Sequence, residues 1–262
     1  MPENKLHCHG CGTGKPIVWV HGFPLDHTMW QYQYEELTEF RSLAVDLRGF
    51  GRSDMPVDQL SLGQMAEDVN DLLEVTIPEQ PFVYVGLSMG GYIAWQFLQQ
   101  PARQRLSALI LCDTRAAADS EEMRRARRLT ARRVLEEGPT VIADPMLEKL
   151  FAPSTVERRE DRVRATREVM MATGSPAIAA ALQAMADRPD ATDLLAQIDV
   201  PTLLICGRED QITAASEMAT MAERIPGACL EVIPDAGHMS PLEQPESVNR
   251  IIRQFLTETA NW

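Results

Sequence analysis

Short runs of apolar residues alternate along the chain with longer stretches in which apolar residues recur every three or four positions. Each short run is continuously apolar, which is typical of a strand buried on both faces of a parallel sheet. The longer stretches predict amphipathic helices that cover both faces of that sheet. We therefore predict an α/β protein with a mostly parallel sheet flanked by helices. The predicted strands are 17–20, 42–45, 82–85, 108–112, 202–206 and 229–233, and the predicted helices lie near 27–38, 61–76, 89–99, 213–224 and 241–257.

This alternation stops between residues 116 and 198, where the sequence predicts no strand. The stretch is rich in Ala, Arg, Glu, Leu and Met, which favour helix, and turn signals divide it into four or five helices. We predict a helical insertion at 116–198, placed before the last two strands. The core domain would then consist of residues 1–115 and 199–262.

One helix of this insertion is crowded with arginines. An anion-binding or membrane-binding surface is one interpretation of that pattern. Acidic and basic residues balance over 116–190, however, so we favour a solvated helix face. Its apolar residues would then turn inward, and these are Met123, Ala126, Leu129 and Val134.

Length and charge exclude several classes of protein. The chain has 262 residues, of which 45% are hydrophobic, so it can form a full core. Its net charge of −13 disfavours nucleic acid and anionic membranes as partners. No apolar run reaches the roughly 18 to 20 residues that span a bilayer, and no secretory signal precedes the first strand. We expect a cytoplasmic protein.

The five cysteines do not indicate a disulfide framework, because their number is odd and no signal sequence is present. Cys112, Cys206 and Cys229 lie in or beside strand-like runs, so we expect them to fill the core. Cys8 and Cys11 form a C-x-x-C flanked by His7 and His9, which resembles half a metal site. No second ligand pair completes it, so we predict a short N-terminal hairpin and no metal.

The strongest chemical signal is Gly86–Gly90, which fits the pattern G-x-S-x-G. It follows an apolar strand and precedes a helical pattern, the context that a nucleophile elbow requires. Small residues at Gly86 and Gly90 permit a tight, strained turn that lifts the Ser88 hydroxyl above the sheet. We therefore predict that Ser88 is a nucleophile.

A serine hydroxyl needs a base, and the base needs a carboxylate to orient it. His238 follows the last strand and precedes the last helix, where open α/β sheets place their sites. Asp210 follows the preceding strand and gives the chain order Ser, Asp, His. Asp113, at the end of an earlier strand, and Glu209 are the alternative acids.

These segments together resemble the α/β-hydrolase superfamily. The matching motifs are His21–Asp26, Asp46–Ser53, the elbow, Gly207–Asp210 and Gly237-His238, which span nearly the whole chain. Within that superfamily, the elbow and residues 109–114 look like the 3-oxoadipate enol-lactonase and small-carboxylesterase branch.

The resemblance implies an oxyanion hole formed by the backbone amides of Phe23 and Met89. It implies hydrolysis of a small ester or lactone through an acyl-enzyme, with no metal and no organic cofactor. The helical insertion would be a lid over the site. Arg115 is a candidate for carboxylate recognition, unless it caps a helix or pairs with an acid. Candidate lid walls are Met146, Leu150, Met170, Met171 and Met185.

Two other functions fit the same motifs. A cofactor-free perhydrolase or a carbon–carbon bond hydrolase would use the same three residues. Some members of the fold are ligand receptors with a weakened triad, but all three triad candidates are present here. The sequence indicates neither the substrate nor the oligomeric state.

Overall fold

The computed structural model describes residues 6–53 and 60–259. Seven strands form one sheet in the order β1-β3-β2-β4-β5-β6-β7. All neighbouring pairs are parallel except β1 and β3, so the predicted mostly parallel sheet is confirmed. The strands are β1 (Cys8–Cys11), β2 (Pro16–Val20), β3 (Arg41–Val45), β4 (Phe82–Leu87), β5 (Leu106–Cys112), β6 (Thr202–Gly207) and β7 (Cys229–Ile233).

Strand β1 is the element that the pattern missed. The predicted N-terminal hairpin is wrong, because Cys8–Cys11 pairs antiparallel with β3 and not with the strand that follows it. Cys8 lies opposite Val45, and Cys11 lies opposite Ser42. The strand is short, half-exposed and built from polar and small residues, as edge strands commonly are. No apolar run therefore marks it.

The sheet separates two hydrophobic cores because side chains alternate along each strand. On β2, Val18 and Val20 pack into one core, whereas Ile17 and Trp19 pack into the other. Helices cover both faces. The helices are α1 (Gln31–Glu36), α2 (Leu62–Thr76), α3 (Met89–Phe97), α4 (Glu121–Glu137), α5 (Thr140–Leu150), α6 (Pro153–Arg158), α7 (Glu160–Ala172), α8 (Ser175–Ala186), α9 (Ala215–Arg224), α10 (Ser240–Glu243) and α11 (Pro245–Glu258).

Helices α4 to α8 lie between β5 and β6, and short 3-10 turns occur at His27–Trp30, Pro101–Arg105 and Thr192–Gln197. No strand interrupts 116–198, all of which lies within the described residues. The end of α5 accepts a hydrogen bond from the loop after β7, and the start of α6 donates hydrogen bonds to α10. Among the described residues, no single helix is long and apolar enough to cross a membrane, and only the pair α7 and α8, bent by 96°, meets that test together.

The buried face of the arginine-rich helix α4 is only partly the predicted one, because Val134 is buried as predicted whereas Ala126 is exposed. Met123 and Leu129 are exposed, while Ala131 and Val134 are buried in the core that α8 also lines. The inward face carries arginine as well as apolar residues, because Arg127 forms an ion pair with the buried Asp119. Further pairs join Arg125 with Glu121, Arg128 with Asp187 and Arg133 with Glu137. The arginine cluster is therefore largely neutralised within the chain.

The cysteines are all free. Cys112 and Cys206 are buried, as core residues should be, but Cys229 is exposed and the expectation for it was wrong. Cys229 opens β7, the edge strand opposite β1, where the residues facing solvent alternate with half-buried ones.

Candidate active site

Ser88 stands on a sharp turn between β4 and α3. Its φ of 52° lies in the left-handed region, which non-glycine residues enter only when their surroundings hold them there. Its amide donates to the Cys112 carbonyl on β5 at 3.0 Å, and the Thr114 hydroxyl donates to its carbonyl at 2.7 Å. A Cβ on Gly86 would lie 2.6 Å from the Gly90 backbone, so only glycine permits this turn.

His238 lies on the loop between β7 and α10 and faces Ser88. Its Nε2 lies 2.9 Å from Ser88 Oγ, a hydrogen-bond distance. Its Nδ1 lies 2.8 Å from Asp210 Oδ2 on the other side of the ring. The side chains of His238 and Asp210 are buried, so water does not compete for this contact. The structure thus places all three side chains in one hydrogen-bonded chain.

The Asp210 carboxylate is fixed by its own loop. Its Oδ1 accepts hydrogen bonds from the amides of Ile212 at 2.7 Å and Thr213 at 2.9 Å. Only Oδ2 remains for the imidazole, which sets the orientation of the ring. A Cβ on Gly207 would overlap the Gly237 carbonyl, so this glycine allows the ends of β6 and β7 to approach.

The two alternative acids do not contact His238. Glu209 is exposed to solvent. Asp113 is fully buried beneath the site, where it accepts hydrogen bonds from the Gly207 amide at 2.7 Å and the Ser240 hydroxyl at 2.6 Å. Burial, and secondarily the charge of Asp210, raises the pKa of Asp113 well above its usual value. Asp113 therefore supports the strand ends and does not orient the imidazole.

Phe23 and Met89 flank the serine. Phe23 follows β2, and Met89 is the first residue of α3, where a helix exposes unpaired amides. Within the described ranges, neither amide donates a hydrogen bond to another residue. A Cβ built on Gly22 would lie 3.5 Å from Ser88 Cβ, which shows how closely the β2 loop approaches the elbow. Two free donors thus border the serine side chain.

A residue that sequence reasoning missed, Glu243, fixes the histidine loop. Its Oε1 accepts from the amides of Gly237 at 2.7 Å and Met239 at 3.2 Å, the two neighbours of His238. Its Oε2 accepts from the Ala152 amide at 2.7 Å and the Thr155 hydroxyl at 2.8 Å. Burial raises the pKa of Glu243 despite these four donors. A glutamate at the end of a four-residue helix carries no distinctive pattern in the sequence.

The same loop is tied to the helical insertion a second time. The His238 amide donates to the Leu150 carbonyl at 2.8 Å, at the end of α5. A Cβ on Gly237 would lie 2.9 Å from that carbonyl oxygen, so glycine allows the close approach. The junction of α5 and α6 therefore packs directly on the backbone that carries the imidazole.

Arg115 and the candidate lid-wall residues contact other parts of the chain. Arg115 pairs with Glu217 at 3.2 Å and donates to the Ile212 carbonyl, so of its three predicted roles the structure contains the pairing with an acid. Leu150 and Met170 are buried in the core that contains Met239 and Leu242 beside the histidine loop. Met185 is buried in the other core, and Met146 and Met171 are partly buried.

Comparisons with known proteins show which family the chain resembles. A family profile described as alpha/beta hydrolase fold matches residues 15–245. A thermophilic esterase from Thermogutta terrifontis, solved with malate bound, is 44% identical, with a TM-score of 0.94 over 97% of this chain and 93% of its own. The 3-oxoadipate enol-lactonase 1 of Acinetobacter baylyi is 30% identical over 254 residues, which are 96% of this chain and 92% of the enol-lactonase. The AB hydrolase superfamily protein YisY of Bacillus subtilis is 31% identical over 259 residues, with 95% and 94% covered.

Proposed function

Because the chain belongs to the α/β-hydrolase fold family, we propose that it is a serine hydrolase that cleaves small carboxylic esters or lactones. The observation that carries the proposal is a continuous chain of two hydrogen bonds. It runs from Ser88 Oγ to His238 Nε2 at 2.9 Å and from His238 Nδ1 to Asp210 Oδ2 at 2.8 Å. Each of the three groups has the neighbour that its chemical role requires.

The first half of the reaction acylates Ser88. His238 Nε2 accepts the hydroxyl proton as Ser88 Oγ attacks the carbonyl carbon of the ester. Asp210 stays ionised and stabilises the imidazolium through Nδ1. The amides of Phe23 and Met89 donate hydrogen bonds that stabilise the negative charge on the carbonyl oxygen. One such donor typically raises the rate about 10²- to 10³-fold. The imidazolium then gives its proton to the departing alcohol.

The second half releases the acid. His238 takes a proton from water, and the resulting nucleophile attacks the acyl carbon while the same amides hold the oxyanion. The proton returns to Ser88 Oγ as the acyl bond breaks. In a lactone, the alcohol and the acid are parts of one molecule, so the ring opens and a single hydroxy acid leaves.

The choice of substrate class rests on the relatives. The protein at 44% identity is an esterase, and the one at 30% identity is an enol-lactonase. Helices α4 to α8, within 116–198, form the lid in this proposal. Two sets of hydrogen bonds support that role. The Leu150 carbonyl accepts from the His238 amide, and the Ala152 amide and the Thr155 hydroxyl donate to Glu243.

The test compares hydrolysis of short p-nitrophenyl esters and a simple lactone by the wild type and Ser88→Ala. We expect kcat to fall at least about 10³-fold, since the triad acts as a unit. Ser216→Ala is the matched control, because that serine is exposed on α9, and its kcat should be unchanged. Equal activity of wild type and Ser88→Ala would contradict the mechanism.

The same enzyme preparations distinguish the alternative chemistries. A perhydrolase forms peracid from an ester and hydrogen peroxide, and a carbon–carbon hydrolase cleaves a vinylogous diketone. Faster turnover in either assay than in ester hydrolysis would replace the proposed substrate class while retaining Ser88 as nucleophile.

A further inference from the structure

Three histidines and an aspartate meet at the edge of the sheet, two strands away from the serine elbow. His7 Nδ1 lies 2.9 Å from Asp46 Oδ2, and His27 Nδ1 lies 2.7 Å from Asp46 Oδ1. The ligand atoms of these three residues all lie within 4.8 Å of one another. The mechanism proposed for Ser88 uses none of them.

The carboxylate of Asp46 is held in place before any ligand arrives. It is buried, and its oxygens also accept from the amides of His27 at 2.8 Å and Arg52 at 2.9 Å. Burial opposes ionisation, but these hydrogen bonds hold the pKa of Asp46 well below its usual value. The site therefore carries a fixed negative charge at neutral pH.

His9 adds a third imidazole to the cluster. Side chains two positions apart on a strand share a face, so His7 and His9 both lie beside His27. The ring centroids of His9 and His27 are 5.5 Å apart in a stacked arrangement, and those of His7 and His27 are 5.1 Å apart. Burial lowers the pKa of His9, as do the neighbouring His27 and His7. A neutral imidazole is the form that binds a metal ion.

We propose that His7, His27 and Asp46 form a binding site for a Zn²⁺-like divalent transition ion, with His9 stacked on His27 beside it. Imidazole nitrogen and carboxylate oxygen are the ligands that such ions favour over Mg²⁺ or Ca²⁺. Adjacent ligands of a tetrahedral zinc ion are about 3.3 Å apart, from bond lengths of about 2.0 to 2.1 Å. The two imidazole–carboxylate contacts, at 2.9 Å and 2.7 Å, are about half an ångström shorter than that spacing, so both rings would move outward slightly to admit the ion.

The ion would occupy the space now filled by the two Nδ1 hydrogens. In a neutral ring the Nδ1 proton moves to Nε2, and a charged ring releases one proton to solvent. Of the charged groups that act on these histidines, Asp26 and Glu35 favour the cation and Arg52 opposes it. Lower pH should therefore weaken binding.

The cysteines that first suggested a metal are not its ligands. Cys8 lies between His7 and His9 and so faces the opposite side of the sheet. Cys11 shares the face of His9, but its thiol donates to the Tyr34 carbonyl at 3.4 Å, and neither cysteine belongs to the cluster of three ligand atoms. Burial, together with the charge of Asp46, raises the pKa of the Cys8 thiol to about 12, which keeps it protonated. His7, which flanks the C-x-x-C motif, is a ligand of the proposed site, and the two cysteines are not.

The test is calorimetric titration of the full-length, chelator-treated protein with ZnCl₂, and separately with MgCl₂. We expect one saturable Zn²⁺ site and none for Mg²⁺. His7→Ala is the first variant, because His7 is partly exposed and its loss should leave the fold intact. It should weaken Zn²⁺ binding at least about 10-fold, as should His27→Gln, since even loss of an outer-shell partner costs that much elsewhere.

Two controls locate the ion. His238→Gln should bind Zn²⁺ as the wild type does, which excludes the triad as the site. Cobalt absorption should have no thiolate charge-transfer band and should be the same in a Cys8→Ser, Cys11→Ser double variant. The proposal is overturned if Zn²⁺ binding does not saturate, if His7→Ala and His27→Gln bind it unchanged, or if binding is lost with His238 or the cysteines.

Discussion

At the scale of single residues, the environment decides which acid serves the histidine. Asp113 and Asp210 follow neighbouring strands, and both are buried. One oxygen of Asp210 accepts hydrogen bonds from two loop amides, and the other contacts His238. In Asp113, one oxygen accepts from the Gly207 amide and the other from the Ser240 hydroxyl. Two similar acids thus have different roles because their hydrogen-bond partners differ.

This difference predicts unequal effects of the same substitution. Asp210→Asn should lower kcat about 10⁴-fold, as loss of the orienting carboxylate does in other triads. Asp113→Asn should lower it less than about 10-fold, because an amide oxygen still accepts from Gly207 and its nitrogen donates to Ser240. Ester hydrolysis by both variants measures this, and the reverse order of the two effects would contradict the assignment.

The histidine cluster predicts a pH dependence of stability in metal-free protein. The hydrogen bond that His27 donates to Asp46 raises the pKa of His27 above its usual 6.5, so the pair stabilises the fold fully below about pH 6.5 and less as pH rises through the folded pKa. At the acid end the contribution declines below about pH 4, where Asp46 becomes protonated in the unfolded chain, and it is lost as pH falls through the lower folded pKa of Asp46. Between these limits, His27→Gln should cost about 1 to 3 kcal/mol in urea unfolding.

His9→Gln is the matched control for that experiment. Because the pKa of His9 is lowered, the sign is reversed, and the wild type should lose stability relative to this variant as pH falls below about 6.5. The same pH trend for both variants would contradict the opposite pKa shifts.

At the scale of elements, the active site is a set of loop ends held by neighbouring elements. The helix α10 ends in Glu243, whose carboxylate joins the histidine loop to the start of α6. A movement of the α5–α6 junction would therefore move the imidazole. In the proposed mechanism, the helical insertion and the catalytic base would therefore move together.

Glu243→Gln tests that coupling. An amide has one acceptor oxygen where the carboxylate has two, so some of the four donors lose their partner, each at about 1 to 3 kcal/mol. We expect a lower Tm and a lower kcat, with KM for a small ester nearly unchanged. Glu246→Gln, on the exposed start of α11, should change neither quantity. A stable Glu243→Gln variant with normal kcat would contradict the coupling.

The elements themselves show what a sequence pattern can predict. The apolar strands and the elbow were predictable because continuous burial and a glycine-lined turn leave clear local signals. The edge strand β1 was missed because its half-exposed residues form no run. The prediction of the buried face of α4 was correct only in part, because its inward positions include Arg127. Arg127 pairs with Asp119, which makes burial of the charge tolerable. The hydrogen bonds of Glu243 join residues about 90 positions apart, so no local sequence pattern predicts them.

At the scale of the whole molecule, the parallel sheet brings distant segments to one edge. Ser88, Asp210 and His238 follow β4, β6 and β7, and the carboxyl ends of parallel strands meet at the same edge. Two cores fix the sheet from both faces, so the loops that carry the triad start from rigid positions.

The most direct test of the central claim is covalent labelling of Ser88. The protein is treated with a fluorophosphonate, which reacts with activated serines, and the intact mass and the modified peptide are measured. We expect one adduct, on Ser88, with labelling lost in Ser88→Ala and strongly slowed in His238→Gln. No adduct, or an adduct on another serine, would contradict the assignment of Ser88 as the nucleophile.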